Sequence, residues 1–264
     1  IPHIFKSNKL KNKKTFISYL VCGDPSNDFT LSAMHTMSES GVDIIELGIP
    51  FTDPIADGPV IQQSIDRSLK NKTSLRDVIS LVKDFRKVNK DTAVVLMGYM
   101  NPIHKMGITK FTRLINESGI DGVLIVDSPP EESEVLNKYL RKYNKSHIYL
   151  ASPTTTDQRM RSIAAMSSGY IYYVTIKGIT GSKLSNIGKI KENVKKIKKI
   201  SNDKLPVAVG FGIKDKKSAK TMAEFSDGII IGSSIVELIN KYSKNKKIMN
   251  NKLSSYISSI ARVM

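Results

Sequence analysis

The chain holds a single cysteine, Cys22, in 264 residues. That excludes an intramolecular disulfide and leaves no basis for a thiolate metal centre; a reducing compartment, the cytoplasm, is the expected location. Histidine is nearly as scarce. His3 and His35 fall in terminal or helical contexts, His104 in a loop and His147 at the start of a strand, and no pair has metal-ligand spacing. No apolar run approaches the roughly 20 residues that a membrane-spanning helix needs, so no membrane association is expected. The basic segment Ile1–Lys14 lacks an apolar centre and a small-residue cleavage site, so it does not read as a secretory leader. The chain opens on Ile1 rather than Met, so the native start is expected upstream. No linker, low-complexity block or Pro/Gly/Ser-rich gap interrupts it, and one domain over residues 1–264 is expected.

Acidic residues are the minority among the charges: 41 Lys and Arg face 24 Asp and Glu, a net +17. Such an excess raises nucleic-acid binding as a function. The basic residues are mostly Lys in company with Asn, Ile and Ser, the mix that A+T-rich coding produces. The densest run, Lys189–Lys199, carries Ile187, Ile190, Val194, Ile197 and Ile200 at helical spacing, without aromatics to stack on bases. It reads as an amphipathic helix with a solvated lysine face, so no nucleic-acid partner is expected. The surface charge would still concentrate an anionic small molecule.

What is present is a regular alternation. Short β-branched runs at Phe16–Val21, Asp43–Leu47, Ala93–Met97, Gly122–Val126, His147–Leu150, Tyr170–Val174, Pro206–Val209 and Gly228–Ile231 make eight candidate strands. Amphipathic stretches lie between them, among them Thr30–Ser40, Ser74–Val88, Ile108–Glu117, Glu131–Tyr143, Asp157–Met166 and Lys214–Ala223. Further helices are expected at Val60–Lys70, Ser233–Asn240 and Asn251–Val263. Continuous apolar strands mark a parallel sheet covered on both faces. Strict βα alternation in this number points to a (β/α)8 TIM barrel with extra helices; a doubly wound sheet has the same pattern. Gly41-Val42-Asp43 and Gly119-Ile120-Asp121 each end a helix and open a strand, and Asp227-Gly228 echoes them.

The segment Glu46–Pro59 carries the most chemistry. Glu46 is an acid at the end of an apolar strand, where barrel side chains reach the active-site mouth. A carboxylate drawn out of water has a raised pKa and exchanges protons near neutrality. Asp57 follows at the far end of a loop stiffened by Pro50, Pro54 and Pro59, and two acids in different environments can divide proton-transfer roles. From the acids alone, an ion-pair partner or a helix cap explains Glu46 as well, and Asp53 before Pro54 reads as a turn residue. Tyr172 lies in an aromatic-rich strand where packing explains it equally. Gly210-Phe211-Gly212 follows the seventh strand and Gly232-Ser233 follows the eighth, opening a helix. Glycine admits close backbone approach to an anion, and loops after strands seven and eight are the usual phosphate cup of barrels.

The run Glu46–Pro59 closely resembles the signature of the tryptophan synthase alpha chain family. Gly23-Asp24-Pro25, Met97-Gly98-Tyr99-Met100-Asn101-Pro102, Asp127-Ser128-Pro129-Pro130-Glu131-Glu132, Thr180-Gly181, Gly210-Phe211-Gly212-Ile213 and Gly232-Ser233 are similar too, in order and spacing over nearly the whole chain. The resemblance implies a carbon–carbon lyase that splits indole-3-glycerol phosphate into indole and glyceraldehyde 3-phosphate by retro-aldol cleavage. No metal and no organic cofactor is implied. The family's two essential carboxylates fall on Glu46, the proton shuttle, and Asp57, the acceptor of the indole N–H. Tyr172 and Thr180 fall on supporting positions, and Gly181 completes the phosphate cup with Gly210, Phe211, Gly212, Gly232 and Ser233. The stretch from Thr175 to Ser182 matches a loop that closes over substrate; Ile176 stands where some members carry Arg, which removes a guanidinium contact on closure. The indole pocket falls on Tyr19, Ile61, Leu96 and Leu124, each an ordinary core residue by pattern. The implied partner is the pyridoxal-phosphate beta chain, in an alpha-beta-beta-alpha tetramer through which indole passes directly, with Phe51–Pro59 and Asn101–Gly107 at the contact. The alternatives are another phosphate-binding barrel enzyme, such as an isomerase or the enzyme that forms indole-glycerol phosphate, disfavoured because the forming enzyme's lysine-centred pattern is missing and Glu46 and Asp57 are present, and an inactive barrel that only activates a beta-type partner.

Overall fold

The structure, a computed structural model, describes residues 1–175, 183–210 and 212–264. The strands are β1 (Thr15–Val21), β2 (Ile44–Gly48), β3 (Ala93–Gly98), β4 (Gly122–Ile125), β5 (Ser146–Ala151), β6 (Ile171–Val174), β7 (Val207–Gly210) and β8 (Gly228–Ile231). All pair in parallel and in chain order, and β8 returns to β1, closing a (β/α)8 barrel. The helices are α1 (Pro2–Leu10), α2 (Asn27–Glu39), α3 (Pro59–Lys70), α4 (Leu75–Arg86), α5 (Met100–Met106), α6 (Ile108–Glu117), α7 (Glu134–Lys142), α8 (Asp157–Met166), α9 (Lys183–Ile200), α10 (Lys216–Ala223), α11 (Ser233–Lys241) and α12 (Lys246–Ala261). Among the described residues no helix is long and apolar enough to cross a membrane.

The period-two direction of side chains along a strand divides the core into two shells. Ile17, Ile44, Ala93, Val95, Leu124, Ile148, Tyr172, Ala208 and Ile230 fill the barrel. Phe16, Leu20, Ile45, Leu47, Val94, Leu96, Val123, Ile125 and Ile229 face the helices. Because both shells are apolar, the strands show no alternation in sequence. Each fully buried aliphatic side chain contributes roughly 1.5–3 kcal/mol, so both shells contribute to closure.

The recurring Asp before a strand acts as a clasp. Asp43 accepts the Phe16 N–H at 2.8 Å and returns its own N–H to the Phe16 carbonyl at 2.9 Å. Asp121 does the same with Val94, and Asp227 with Val207. Each clasp is neutralised by a cation: Lys13 on Asp43, Arg86 on Asp121 and Lys198 on Asp227. The even strand thus fastens the start of the odd strand before it and sets the register. Gly41 (φ 106°) and Gly119 (φ 78°) make the turn into two of them, a conformation that costs other residues more.

Element boundaries agree with the sequence expectations to within a few residues, apart from one broken helix and two that were not expected. Glu131–Tyr143, expected as one helix, is a 3₁₀ turn at Pro130–Glu132 followed by α7; the Ser133 hydroxyl donates to the Pro129 carbonyl at 2.7 Å and holds the break. Helices α1 and α5 were not expected, and His104 lies in α5 rather than in a loop.

Candidate active site

Strand parity turns Glu46 inward, one step above Ile44 and level with Tyr19 on β1 and Val95 on β3. Its side chain is fully buried. The Tyr170 hydroxyl donates to Oε1, while Oε2 has no hydrogen-bond partner among the described residues. Burial pushes the carboxyl up to about 8, against the opposing pull of the Tyr170 hydrogen bond. Burial raises it because the charged form loses hydration, and the hydroxyl opposes because it favours the carboxylate. Glu46 forms no ion pair and caps no helix among the described residues.

Asp57 reaches the mouth from the loop between β2 and α3. The Tyr99 hydroxyl donates to Oδ2 at 2.7 Å and accepts the Ala56 N–H at 3.1 Å. The Gln62 side-chain amide donates to the Asp57 carbonyl at 2.9 Å, tying the loop to α3. Burial raises the Asp57 carboxyl, and the Tyr99 hydrogen bond opposes it. Asp53, by contrast, is exposed, and among the described residues it bonds only locally, to Thr52 and Ile55.

Two more tyrosines complete the surround. Tyr172 and Tyr19 are buried, and burial followed by the negative charge of Glu46 and Asp57 raises both hydroxyls well above the ordinary 10. They therefore remain protonated donors. Tyr172 leans over the end of β7: a Cβ at Gly210 would meet its ring carbons Cε1 and Cζ at 2.6 and 2.7 Å. Tyr19 lies between Gly48 and Gly232 in the same way, its Cβ 3.4 Å from where a Cβ on Gly232 would stand. The glycine at the end of β7 and the one after β8 thus border the tyrosines around the carboxylates. Gly212 takes a positive φ of 81°, and Gly232 caps the N-terminus of α11 with Ser233 exposed behind it. Backbone donors at such a helix start favour an anion.

Of the expected pocket residues, Tyr19 and Ile61 pack together with Val21, Ile65, Val236 and Met97, and Leu124 lies in the barrel interior with Tyr172. Leu96 does not join them. It is fully buried in the outer shell beneath the helices, because β3 turns Val95 and Met97 inward and Leu96 away. Met97 is the β3 residue that meets both inner clusters. Thr180, Gly181, Phe211 and Ile176 lie outside the described residues. Two hollows of about 480 and 270 Å³ lie beside β5 and α8, around Arg159. Neither includes Glu46 or Asp57, so the chemistry, not the volume, locates the site.

Tyr99 and Tyr170 are the functional residues that sequence reasoning missed as individuals. Both were reachable by parity: Tyr99 stands two residues beyond inward Met97, and Tyr170 two before inward Tyr172.

Comparison with known proteins gives a consistent result. The family model described as "Tryptophan synthase alpha chain" matches residues 5–264. The curated tryptophan synthase alpha chain of Marinobacter nauticus is 43% identical over 257 residues, covering 97% of this chain and 94% of its own. That of Paraburkholderia phytofirmans is 45% identical over 241 residues, 91% of this chain and 88% of its own. The crystal structure of tryptophan synthase subunit alpha from Legionella pneumophila superposes with a TM-score of 0.91 at 38% identity, covering 99% of this chain and 96% of that one.

Proposed function

The chain belongs to the tryptophan synthase alpha chain family, a lyase that cleaves indole-3-glycerol phosphate to indole and glyceraldehyde 3-phosphate, and we propose that Glu46 carries the proton of that cleavage while Asp57 holds the indole nitrogen. The observation that carries this reading is the pairing of two desolvated carboxylates, each with one oxygen held by a tyrosine hydroxyl.

With a pKa of about 8, Glu46 is mostly protonated at neutral pH. Its unpartnered Oε2 delivers the proton to indole C3, which moves positive charge toward the ring nitrogen. Asp57 accepts the ring N–H and stabilises that charge. The bond between C3 and the side-chain carbinol carbon then breaks, its electrons returning to the ring. The carbinol hydroxyl becomes the aldehyde carbonyl and gives its proton to the Glu46 carboxylate, which restores the acid. Positioned proton transfer of this kind supplies roughly 10²- to 10⁴-fold per role. Tyr19, Tyr172, Ile61, Leu124 and Met97 form the wall for the indole ring. Gly210, Gly212, Gly232, Ser233 and the start of α11 bind the phosphate, together with Phe211 and Gly181; Thr180 supports closure over the site.

The family works with a beta chain, and we extend this to an alpha-beta-beta-alpha assembly that hands indole across without release, in the cytoplasm, with residues 1–264 as a single domain. The loop Phe51–Pro59 and the segment Asn101–Gly107 suit the contact. Ile55 projects from that loop at 85% exposure, an apolar anchor on a proline-stiffened support.

The test is indole release from indole-3-glycerol phosphate by the wild type, Glu46→Gln and Asp57→Asn, with and without a beta chain. Release by the wild type, stimulated by the partner and lost in both variants, is expected. Equal release by wild type and Glu46→Gln would overturn the assignment of the proton carrier. No release by any of the three would favour a barrel that only activates its partner.

A further inference from the structure

Helix α1 closes the barrel at the end opposite the mouth. Ile1, Ile4 and Phe5 join the inner shell with Ile17, Ile44 and Ala93. The strand starts are cut back to admit them. A Cβ at Gly122 would stand 3.1 Å from the Ile1 side chain and one at Gly228 would stand 3.3 Å from Phe5 Cε1. Gly169, at φ 103°, leaves 3.3 Å to Ile1. The helix is pinned by Asn8, buried at its end, whose amide donates to Thr15 Oγ1 at 3.3 Å.

Phe5 touches the ring that holds the catalytic carboxylate. The Phe5 and Tyr170 ring centroids are 5.6 Å apart at 42°. Tyr170 is fully buried, and its hydroxyl donates to Glu46 Oε1. A continuous line of contact therefore runs from the plug, through one aromatic ring, to the carboxylate. Tilted aromatic pairs resist sliding because edge and face attract in a preferred geometry, and a buried ring has few other rotamers to adopt.

We propose that α1 is a positioning element for Glu46: Phe5 fixes the Tyr170 ring so that its hydroxyl occupies Oε1 and Oε2 is the oxygen turned to substrate. The proposal rests on the reading of Glu46 as the proton carrier. Phe5 touches no reacting atom and acts only through Tyr170.

The experiment compares Phe5→Leu, Tyr170→Phe and the double variant for cleavage of indole-3-glycerol phosphate, with kcat and KM followed from acid through alkaline pH. Tyr170→Phe keeps the ring and removes the donor. It is expected to lower kcat about tenfold, the scale of one hydrogen bond to a charged group, and to move the Glu46 limb of the pH profile upward. Phe5→Leu is expected to lower kcat and shift the limb in the same direction by less, with KM held. The double variant is expected to match Tyr170→Phe alone, because Phe5 has no other route to the chemistry. If Phe5→Leu fails to fold, Phe5→Met fills similar volume without a planar ring and serves instead. A Phe5 variant that melts earlier yet keeps the wild-type limb, or effects that add in the double variant, would overturn the proposal. Glu46→Gln runs beside them: retained cleavage there would overturn the reading of Glu46 itself, whatever the Phe5 variants do.

Discussion

Glu46 is held at a cost in stability that a single substitution reveals. In the unfolded chain its carboxyl titrates near 4.5, and in the folded chain near 8. Below about 4.5 both states hold the proton and the group is neutral to stability. Above that, the unfolded state gives up its proton while the folded state keeps it, so stability falls as pH rises, until the folded group also ionises near 8. At about 1.36 kcal/mol per pH unit, the penalty reaches about 3 kcal/mol at pH 7 and saturates at roughly 5 kcal/mol above pH 8. Gln matches Glu in shape. Its amide oxygen can accept the Tyr170 hydroxyl, and its NH2 takes the place of a protonated Oε2 that already lacks a partner. Wild type and Glu46→Gln should therefore be nearly equally stable at pH 5 and diverge with rising pH, the variant gaining up to roughly 5 kcal/mol by pH 9. Urea unfolding of both proteins at a series of pH values measures the difference directly. A constant gap across the series would refute the argument, since it would mean that Glu46 titrates alike in the folded and unfolded chains.

Three other outcomes follow from the geometry. Tyr99→Phe removes the donor that holds down the Asp57 carboxyl, so the acid limb of the cleavage profile should move to higher pH with a drop in kcat of about tenfold; an unmoved limb would show that Tyr99 only packs. Gly210→Ala drives a methyl into the Tyr172 ring, and Tyr172→Phe should not rescue it because ring carbons at 2.6 and 2.7 Å remain; steady-state kinetics of the single and double variants test this, and full rescue would place the conflict at the hydroxyl alone. Leu96→Ala should lose about 2–5 kcal/mol of stability, the ordinary result of a core cavity, and leave KM unchanged, whereas Met97→Ala should raise KM for indole-3-glycerol phosphate; the reverse pattern in paired unfolding and kinetic assays would return Leu96 to the pocket.

The barrel could be read from sequence because its strands are few-residue apolar runs at regular intervals, and each of the eight expected segments overlaps an observed strand. Helix α1 escaped notice for a physical reason. Its apolar stripe is only Ile1, Ile4 and Phe5, and the next residue on that face is Asn8, a polar group that is buried because Thr15 partners it. Helix α5 escaped because seven residues are too few to show a period. The Asp turns were noticed as punctuation, but their clasping of a neighbouring strand joins residues 27 apart in the case of Phe16 and Asp43, a pairing that only the closed sheet brings about.

The two carboxylates and their two tyrosine partners were unequally visible, and register explains why. An acid inside an apolar strand is an anomaly at its own position, so Glu46 stands out without any neighbour. A tyrosine next to a strand is ordinary, so nothing at Tyr170 or Tyr99 marks it. Their roles come from continuing the inward parity of β3 and β6 by one residue beyond the strand, Tyr99 after β3 and Tyr170 before β6, to meet Asp57 and Glu46. The same parity corrects Leu96: motif similarity identifies a stretch, but the face that a residue presents changes with every single step. Glu46 lies level with Tyr19 and Val95, and Tyr172 level with Leu150 and Ala208. Small residues at Ala208 and Gly210 leave the space into which the Tyr172 ring leans. The site is thus organised by inward parity around the closed sheet, which brings Glu46 to Tyr170 and Asp57 to Tyr99, and a sequence read by inward faces across the strands, rather than strand by strand, would place Met97, Tyr99 and Tyr170 in it beside Glu46.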